Sequence, residues 1–586
     1  MVETLVVLTI GLPWLGALAV WAARDRNPRL QHAFAVAFAL AGGIAAVALI
    51  PHRTDQNVVN MPLGAAFGTA TFMPDGLGIF LAIVATVIGS LAVIHSIDYM
   101  RGESQLGRYY AYVLFFIGAM VGLVLSSNLL VVFVFWEITA LCSYALISFH
   151  NDDPKAVAGG VKALIMTQVG GIGLLGGALM LYVYQGNYDV RAFIAGGASA
   201  VPAPALTFMA FGFLVAAAAK SAQFPFQTWL PDAMEAPTPI SALIHAATMV
   251  NAGVYLLARF YPAFEAVPNW REAVIAVGVV TALLAGFMAV VSNDLKRVLA
   301  HSTVSQLGYM VYAIGAGGVF ASQFHLLSHS VFKALLFLAA GAVIHSVHTR
   351  DMREMGGLAR EMPLTRTTMI IGALALAGIP VANGFWSKEL VLEAGAEGGP
   401  AWAHALMLFG AGLTALYTLR FVTMVFYGRP HAAGRHLHDA GPAMKVALVP
   451  LALGTLTTWL LAGSFNGFLQ SGLPLHEQEP ESTSHILSTI ATAPATFIAL
   501  MVVAAGLAAW WWRESLAPLA SRFGFIGWAA ERNFGFEAVN RRVVALTERA
   551  AESLRVTQNG LLNWNVLSIL VGLVAVLAVL AMGGSR

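Results

Sequence analysis

The sequence predicts an all-α polytopic membrane protein with about sixteen transmembrane helices. Of its 586 residues, 58% are hydrophobic and only 11% carry a charged side chain. The mean hydropathy of +0.74 is typical of chains that cross a membrane many times. The formal net charge of +2 is small, and no basic run is interleaved with aromatic residues, which argues against nucleic-acid binding.

Apolar runs of about 18 residues or more define the predicted membrane spans. The first run has no basic residue before it and several arginines after it, which indicates a transmembrane helix and not a cleaved signal peptide. In chain order, the predicted spans are residues 3–22, 32–50, 76–98, 109–126, 128–148, 156–184, 203–222, 240–260, 270–292, 297–317, 321–345, 366–390, 400–427, 444–463, 486–512 and 562–582.

Lysine and arginine accumulate in the odd-numbered loops between these spans. Positively charged loops stay on the cytoplasmic side, so the pattern predicts both termini outside and the long loop of residues 513–561 in the cytoplasm. The even-numbered loops hold mainly Arg53, Arg191, Arg259 and Arg271. The odd-numbered loops hold Arg24, Arg26, Arg29, Arg101, Arg108, Lys155, Lys296, Arg297, Arg350, Arg353, Arg360, Arg429 and Arg435.

The long loop contains a predicted amphipathic helix at about residues 536–559. Its apolar residues recur at helical spacing, and arginine and glutamate residues occupy the other side. We expect this short helix to lie along the membrane surface or against a partner chain. Its apolar positions are Val539, Val543, Leu546, Ala550 and Leu554.

One predicted span carries a glutamate near its middle. Glu137 lies within LLVVFVFWEITALCSYALISF, residues 129–149. A carboxylate at bilayer depth costs about 2.5 to 3.5 kcal/mol on insertion scales, which favours a functional role. The structural alternative is a glutamate that is protonated or bonded to a neighbouring helix and simply packs there.

Two lysines stand beside predicted breaks in helices. Lys220 is followed by Pro225, and Lys388 is preceded by Pro380 and Gly384. Transporters commonly place working charges at broken helices in corresponding positions of repeated halves, so the two segments indicate an internal repeat. The alternative for each lysine is a side chain that extends from a helix end to the membrane interface.

A group of titratable residues shares one helix face. His325, His329 and Lys333 follow each other at four-residue spacing, and His245 lies in the middle of another span. Histidine titrates near neutral pH, so a proton relay is favoured. A zinc site is a weaker alternative because no HExxH glutamate or evident third ligand accompanies the pair. For His245, a hydrogen-bonded structural role is an equal alternative.

The sequence offers little for a cofactor on this chain. The single cysteine, Cys142, excludes an intramolecular disulfide and a thiolate-ligated iron–sulfur cluster, so electron transfer is expected on another chain. The stretch GGIGLLGG, residues 170–177, matches GxGxxG but lies inside an apolar span. It predicts close helix packing and not a dinucleotide site.

Several motifs together resemble one superfamily. They are WEITALCSYALI, AKSAQFPFQTWLPDAMEAPTPISALIHAATMVNAGVYLLARF, NDLKRVLAHSTVSQLGYM, HLLSHSVFKALLFLAAGAVIH and NGFWSKELVLE. They resemble the antiporter-like subunits of respiratory complex I, especially its distal large subunit, called L or subunit 5. The same superfamily contains Mrp-type cation/proton antiporters, membrane-bound hydrogenases and a component of some inorganic-carbon uptake systems.

The resemblance implies two inverted five-helix repeats, each with a broken helix, and a buried polar axis. The implied organisation is an N-terminal part (1–108), a first repeat (109–262), a second repeat (263–428) and a C-terminal part (429–586). The axis residues implied by the matching motifs are Glu137, Lys220, His245, His325, His329, Lys333, Lys388 and Glu389. Asp75 and Asp294 match supporting positions.

The resemblance favours a proton-translocating subunit of a redox-driven, complex I-like assembly in the bacterial inner membrane. The chain is then part of an NADH:quinone oxidoreductase-like translocase without redox chemistry or cofactors of its own. Its expected partners are further antiporter-like chains, a quinone or redox module, and lipid. An ion pair between Glu137 and Lys220 is expected to open and release a proton along the axis. Two features argue against a standard NADH-linked complex: the segment MTQVGGIGLLGG looks more like the Mrp or hydrogenase branch, and the surface helix is short beside the lateral arm of respiratory complex I. The alternatives are a subunit of an Mrp-type antiporter and the membrane component of a carbon-uptake complex.

Overall fold

The fold is described from a computed structural model that covers residues 1–23, 25, 27–55, 58–64, 67–428, 437–470 and 481–555. The predicted span at 562–582 and the loop residues Arg24, Arg26, Arg429 and Arg435 lie outside the described residues. The chain divides into two compact units, Met1–Ala530 and Glu531–Arg586.

The first unit is built mainly from helices. In chain order they are α1 (Val2–Ala23), α2 (Pro28–Ala48), α3 (Gly76–Tyr99), α4 (Leu106–Leu125), α5 (Leu129–Ile147), α6 (Pro154–Gln185), α7 (Val190–Ile194), α8 (Ala203–Lys220), α9 (Trp229–Asp232), α10 (Thr238–Phe264), α11 (Trp270–Val291), α12 (Leu295–Gly315), α13 (Val319–Val347), α14 (Pro363–Ala377), α15 (Asn383–Gly398), α16 (Ala401–Tyr427), α17 (Pro442–Gln470), α18 (Thr483–Thr492), α19 (Pro494–Trp511), α20 (Arg513–Arg522) and α21 (Gly524–Glu531).

Thirteen helices in the described residues are long and apolar enough to cross a membrane. This confirms an all-α polytopic membrane protein. α12 is not among the thirteen, because its serine, threonine, histidine and glutamine side chains make it too polar. All residues of α12 except Arg297 are nevertheless buried, so its polar groups face neighbouring helices and not lipid.

Both predicted helix breaks are present, with one correction. Pro225 lies between Lys220, where α8 ends, and Trp229, where α9 begins. Pro380 lies between α14 and α15. Gly384 was predicted as part of that break, but this prediction is wrong, since the residue lies in the first turn of α15. A Cβ on Gly384 would come 2.0 Å from the Ala375 carbonyl oxygen, so glycine is needed for packing.

Glycines bring α6 close to its neighbour α8, as GGIGLLGG predicts. A Cβ added to Gly173 would lie 2.4 Å from the carbonyl oxygen of Gly212. One added to Gly177 would lie 2.1 Å from the Phe213 ring. Small residues at a helix interface let the backbones approach, which is the usual basis of helix association in lipid.

A small hairpin was not predicted from the sequence. β1 (Val58–Pro62) and β2 (Thr69–Phe72) pair in antiparallel fashion. The Asn128 side chain joins this hairpin to the bundle, since its amide donates to the Thr69 carbonyl at 2.9 Å. The same side chain caps the start of α5 by accepting from the Leu130 amide.

The second unit contains the predicted amphipathic helix. It is α22 (Phe536–Arg555), preceded by a short 3₁₀ turn at Asn533–Gly535. The helix begins where the sequence predicts, and predicted residues 556–559 lie outside the described part of the chain. A positive φ of 81° at Gly535 suits a residue that lacks a Cβ and separates the turn from the helix.

Candidate functional site

Three lysines of the predicted axis lie buried inside the helical bundle, and each ammonium group has an oxygen acceptor. Lys220 donates to the Trp136 carbonyl at 2.7 Å. Lys333 donates to Ser302 Oγ at 2.7 Å. Lys388 donates to the Leu376 carbonyl at 2.8 Å. An uncompensated charge in this environment is expensive, so these acceptors explain how the bundle retains three cationic side chains.

Glu137 and Lys220 interact electrostatically, but no direct ion pair joins them among the described residues. Each of the two side chains instead forms a hydrogen bond with a different residue. The carboxylate of Glu137 accepts a hydrogen bond from the Gln168 amide. The ammonium of Lys220 lies 4.9 Å from the centre of the Trp136 ring, in addition to its bond with the Trp136 carbonyl. The ion pair expected from the sequence is therefore replaced by two separate polar contacts that meet at α5.

α8 and α10 pack closely beside Lys220. Ser221, the next residue, donates from its hydroxyl to the Val250 carbonyl at 2.6 Å. A Cβ on Gly253 would lie 2.5 Å from the Ala217 carbonyl oxygen. The broken end of α8 therefore lies directly against the helix that carries His245.

His245 occupies a π-helical turn, Leu243–Ala247, within α10. Its ring is fully buried, and neither ring nitrogen has a hydrogen-bond partner among the described residues. The nearest aromatic ring is that of Phe337, with ring centres 4.7 Å apart. π-turns recur at functional sites because they displace a side chain from the regular helix. The absence of hydrogen-bond partners among the described residues does not match the alternative in which His245 is a hydrogen-bonded structural histidine.

The predicted face of α13 is buried in the centre of the bundle. His325 lies 2.9 Å from Ser387 Oγ through Nδ1 and 3.1 Å from Gln306 Oε1 through Nε2. The His329 ring centre is 6.5 Å from that of His325, and neither of its nitrogens has a partner among the described residues. His329 also interacts electrostatically with Lys333. The structure thus brings together the three residues that the spacing placed on one face.

This central group extends in two directions. His329 interacts electrostatically with His245 on α10 and with Lys388 on α15. Glu389, beside Lys388, is 7% exposed. Lys388 bonds the last turn of α14 from the first turns of α15, so its charge bridges the helix break. Free carbonyls at a helix C-terminus attract a cation, which accounts for this placement.

Asp75 and Asp294 each cap a helix and pair with an arginine. Asp75 accepts from the Gly78 amide at 2.8 Å and forms a buried ion pair with Arg259. Asp294 accepts from the Arg297 amide at 3.1 Å, and its other oxygen is 3.2 Å from Arg350 Nε. Both carboxylates stabilise a helix N-terminus and connect it to another element.

Sequence reasoning placed two buried cations in loops. Arg259 lies within α10, with 2% of its surface exposed, and Lys296 lies in the first turn of α12 with 3% exposed. The Lys296 ammonium donates to the Ala236 carbonyl at 2.5 Å. The apolar run VYLLARF around Arg259 is a sequence signal that this arginine lies within a helix and not in a loop. Lys296 in SNDLKR gave none, because the segment has the composition of a loop.

The arrangement suits protons better than a metal ion. Within the described ranges, no group of three or more His, Cys, Asp or Glu side chains is placed to hold a metal. The buried groups are instead amines and imidazoles beside carbonyl, hydroxyl and amide oxygens. Such groups exchange protons through hydrogen bonds, and imidazole does so near neutral pH.

Two family models match the chain. Residues 126–414 match a model described as NADH:quinone oxidoreductase/Mrp antiporter, TM. Residues 64–110 match one described as NADH-Ubiquinone oxidoreductase (complex I), chain 5 N-terminus. The first match contains Glu137, Lys220, His245, Lys333 and Lys388, and the second contains Asp75.

Sequence similarity to known proteins points to the same superfamily as the family models. Na(+)/H(+) antiporter subunit A1 from Staphylococcus aureus strains JH9 and Newman is 38% identical over 427 residues, covering 68% of this chain and 53% of the relative. The chain thus spans about half the length of the curated relatives it matches.

Two solved structures resemble the fold. A chain of the Mrp complex from Dietzia sp. DQ12-45-1b has a TM-score of 0.82 and 29% identity, covering 100% of this chain and 63% of that one. A chain of the membrane-bound sulfane sulfur reductase, an archaeal respiratory membrane complex, has a TM-score of 0.71 at 23% identity and covers 83% of this chain and 99% of that one. The second likeness concerns the fold alone. Family models, relatives and fold together show that this chain belongs to the superfamily of antiporter-like membrane subunits that includes those of complex I and Mrp-type antiporters.

Proposed function

We propose that this chain translocates protons as one subunit of a multisubunit membrane complex. The observation that carries the proposal is a group of buried titratable side chains on three helices: His245 on α10, His325, His329 and Lys333 on α13, and Lys388 on α15. The ring centres of His325 and His329 are 6.5 Å apart, and His325 lies 2.9 Å from Ser387, the residue before Lys388. Burying so many titratable groups is costly, and a purely structural scaffold would not need them. Glu137 and Lys220 add a second titratable pair at the broken end of α8.

The proposed route runs from Lys220 to Lys388. A proton leaves the Lys220 ammonium, crosses the α8–α10 interface to His245, and passes by His329 and His325 toward Lys333 and Lys388. The unpartnered nitrogens of His245 and His329 can accept it. Glu389 offers a carboxylate at the far end. Moving one proton against about 100 mV costs roughly 2.3 kcal/mol, which corresponds to less than two units of pKa difference between neighbouring groups.

The first candidate for this complex is an Mrp-type antiporter. In such an antiporter, a cation gradient and not electron transfer drives proton movement. The similarity to subunit A1 of the Staphylococcus aureus Na(+)/H(+) antiporter supports it. The redox-driven, complex I-like assembly favoured from the sequence is the second candidate. It is supported by the match to the complex I chain 5 model.

The remaining features of the proposal follow from membership in a complex. The partners are other membrane subunits, with a quinone or redox module only in the second setting. We propose that the chain carries no cofactor and resides in a bacterial cytoplasmic membrane, with both termini outside and the loop of about residues 513–561 on the cytoplasmic side. The chain is part of an oxidoreductase only if the complex is redox-driven.

Vesicles that contain the intact complex test the proposal. A pH-sensitive dye follows proton movement after a sodium gradient or an electron donor is supplied. Lys220→Ala and Glu137→Gln should each reduce proton movement while the complex still assembles. Lys155→Ala, at an exposed position in the first turn of α6, is the matched control.

The two settings and the relay give different outcomes. A response to sodium without any electron donor supports the antiporter, whereas a strict need for the donor supports the redox-driven complex. Unchanged proton movement in both Lys220→Ala and Glu137→Gln would reject the relay.

A further inference from the structure

Four titratable side chains outside the axis lie in a row near the end of α13. They are His438, His345, Tyr99 and His95, and successive ring centres are 5.7, 5.8 and 6.0 Å apart. His438 is exposed, His345 and Tyr99 are half-buried, and His95 is fully buried. The row therefore leads from the surface of the first unit into its interior.

His95 ends the row with a nitrogen that has no partner. Its Nε2 lies 3.1 Å from the Leu338 carbonyl. A carbonyl can only accept, so Nε2 carries the hydrogen of the neutral ring and Nδ1 is left as an acceptor. Nδ1 is buried and has no hydrogen-bond partner among the described residues. The bond also attaches His95 to α13, the helix that carries Lys333.

Tyr99 connects the row to α10, the helix that carries His245. Its hydroxyl lies 3.0 Å from Thr238 Oγ1, and Thr238 begins α10, which carries His245. Gly341 on α13 makes this junction possible. A Cβ there would lie 3.1 Å from Thr238 Cγ2 and 3.5 Å from the His95 ring.

A carboxylate accompanies the row. Asp98, next to Tyr99, interacts electrostatically with both His95 and His345. Its oxygens accept from the Ala443 amide at 2.7 Å and from Arg101 at 3.3 Å, which holds it between α3 and the start of α17. The other titratable group beside His345 is His348, with ring centres 6.4 Å apart. Asp98 supplies negative charge that offsets a passing proton.

We propose that His438, His345, Tyr99 and His95 form a proton-loading branch that delivers protons to the axis near His245 and Lys333. The inference rests on the proposed function. Each step breaks one N–H or O–H bond and forms one on the next group, directly or across a single water, and no electrons are exchanged. The tyrosine hydroxyl passes a proton by accepting and donating at the same oxygen.

The test measures proton movement in vesicles with the intact complex between about pH 6 and 9. His95→Gln and His345→Gln should slow it roughly ten-fold or more at the alkaline end, where protons are scarce, and much less at the acid end. Tyr99→Phe keeps the ring and should show the same pH dependence. His150→Gln, on the loop before α6 and away from the row, is the control.

The outcomes separate the branch from the axis. If Lys220→Ala stops proton movement while His95→Gln, His345→Gln and Tyr99→Phe keep the wild-type pH profile, the branch is overturned and the axis stands. If Lys220→Ala and Glu137→Gln have no effect either, both are overturned. A uniform loss across the pH range in all three variants indicates a structural role and also overturns the branch. If the complex with His95→Gln does not assemble, the pH profiles of His345→Gln and Tyr99→Phe test the branch.

Discussion

The guanidinium of Arg259 and the carboxylate of Asp75 form a buried bidentate ion pair between α10 and the start of α3. One of the two hydrogen bonds measures 2.8 Å, from Arg259 Nη2 to Asp75 Oδ1. The same carboxylate caps α3, and Arg259 also donates to the Tyr255 hydroxyl at 3.3 Å. The pair therefore connects the N-terminal helices to the helix that carries His245.

Arg259→Met should destabilise the protein by about 3 to 5 kcal/mol, because it leaves the Asp75 carboxylate buried without its counter-charge. Thermal unfolding of the detergent-solubilised complex measures the effect. The double variant Asp75→Asn/Arg259→Met removes both charges and keeps a capping oxygen, so it should regain much of the loss. Equal losses in the single and double variants would contradict this explanation.

Gly171→Ala should impair proton movement without unfolding the protein. A Cβ at this position of α6 would lie 2.4 Å from Glu137 Oε1. The end of a glutamate side chain can move, so we expect Glu137 to turn away and lose its bond with Gln168 while the helices stay in place. Dye-monitored transport and thermal stability should therefore change independently.

Gly43→Ala is the matched control for that substitution, since its nearest contacts are at 3.9 Å. It should leave both transport and stability unchanged. If Gly171→Ala transports at the wild-type rate, the position of Glu137 does not matter for the relay.

Asp439 should make stability depend on pH at the start of α14. Burial would raise the pKa of this carboxyl, but hydrogen bonds from Thr365, Leu364 and Ala440 outweigh it and hold the pKa below its ordinary value of 3.8. A group with a lowered pKa in the folded state contributes its stability above its ordinary pKa and loses it as the pH falls through the folded value. The contribution is thus constant near neutral pH and declines only below the ordinary value.

The difference in melting temperature between the wild type and Asp439→Asn measures this contribution, which a helix cap sets at about 1 kcal/mol. We expect it to be the same at pH 7 and pH 5 and to shrink toward about pH 3. A difference that stays constant down to about pH 3 would show that the charge of Asp439 is not what stabilises α14.

Local chemical signals explain which features were predictable from the sequence. Pro225 and Pro380 disrupt a helix wherever they occur, so both breaks were found. Gly384 was misassigned because glycine serves equally in a break or at a close contact, and only the Ala375 carbonyl distinguishes the two. The pairing of Asp75 with Arg259 spans 184 residues and leaves no local pattern.

The candidate site shows the same limit. The four-residue spacing of His325, His329 and Lys333 predicts a shared face, and the structure confirms it. The separate partners of Glu137 and Lys220 were not predictable, because one of them is the backbone carbonyl of Trp136. His95 was overlooked for a similar reason, since its partner is the Leu338 carbonyl and backbone atoms have no sequence signature.

Gly384→Ala should separate the halves of the second broken helix. The added methyl would meet the Ala375 carbonyl, a backbone atom that cannot turn aside, so α15 must move away from α14. Overpacking of this kind typically costs about 1 to 3 kcal/mol, and here it also lengthens the bond from Lys388 to the neighbouring Leu376 carbonyl. We expect lower thermal stability together with slower proton movement. Gly11→Ala, which has open space around it, is the control, and equal stability of the two variants would contradict the prediction.

Lys220→Arg tests whether this position needs a positive charge or a proton that can leave. Arginine stays protonated at any relevant pH, so the variant keeps a cation beside Trp136 and Glu137 but cannot release its proton. If Lys220 carries protons, Lys220→Arg should assemble normally and still lose most proton movement, as Lys220→Met should. If Lys220 acts only through its charge, Lys220→Arg should retain transport and Lys220→Met should not. Lys155→Arg, at an exposed position, controls for the exchange itself. Because the guanidinium also has donors for the Trp136 carbonyl, a loss of transport at unchanged thermal stability identifies proton release, and not anchoring, as the function of this lysine.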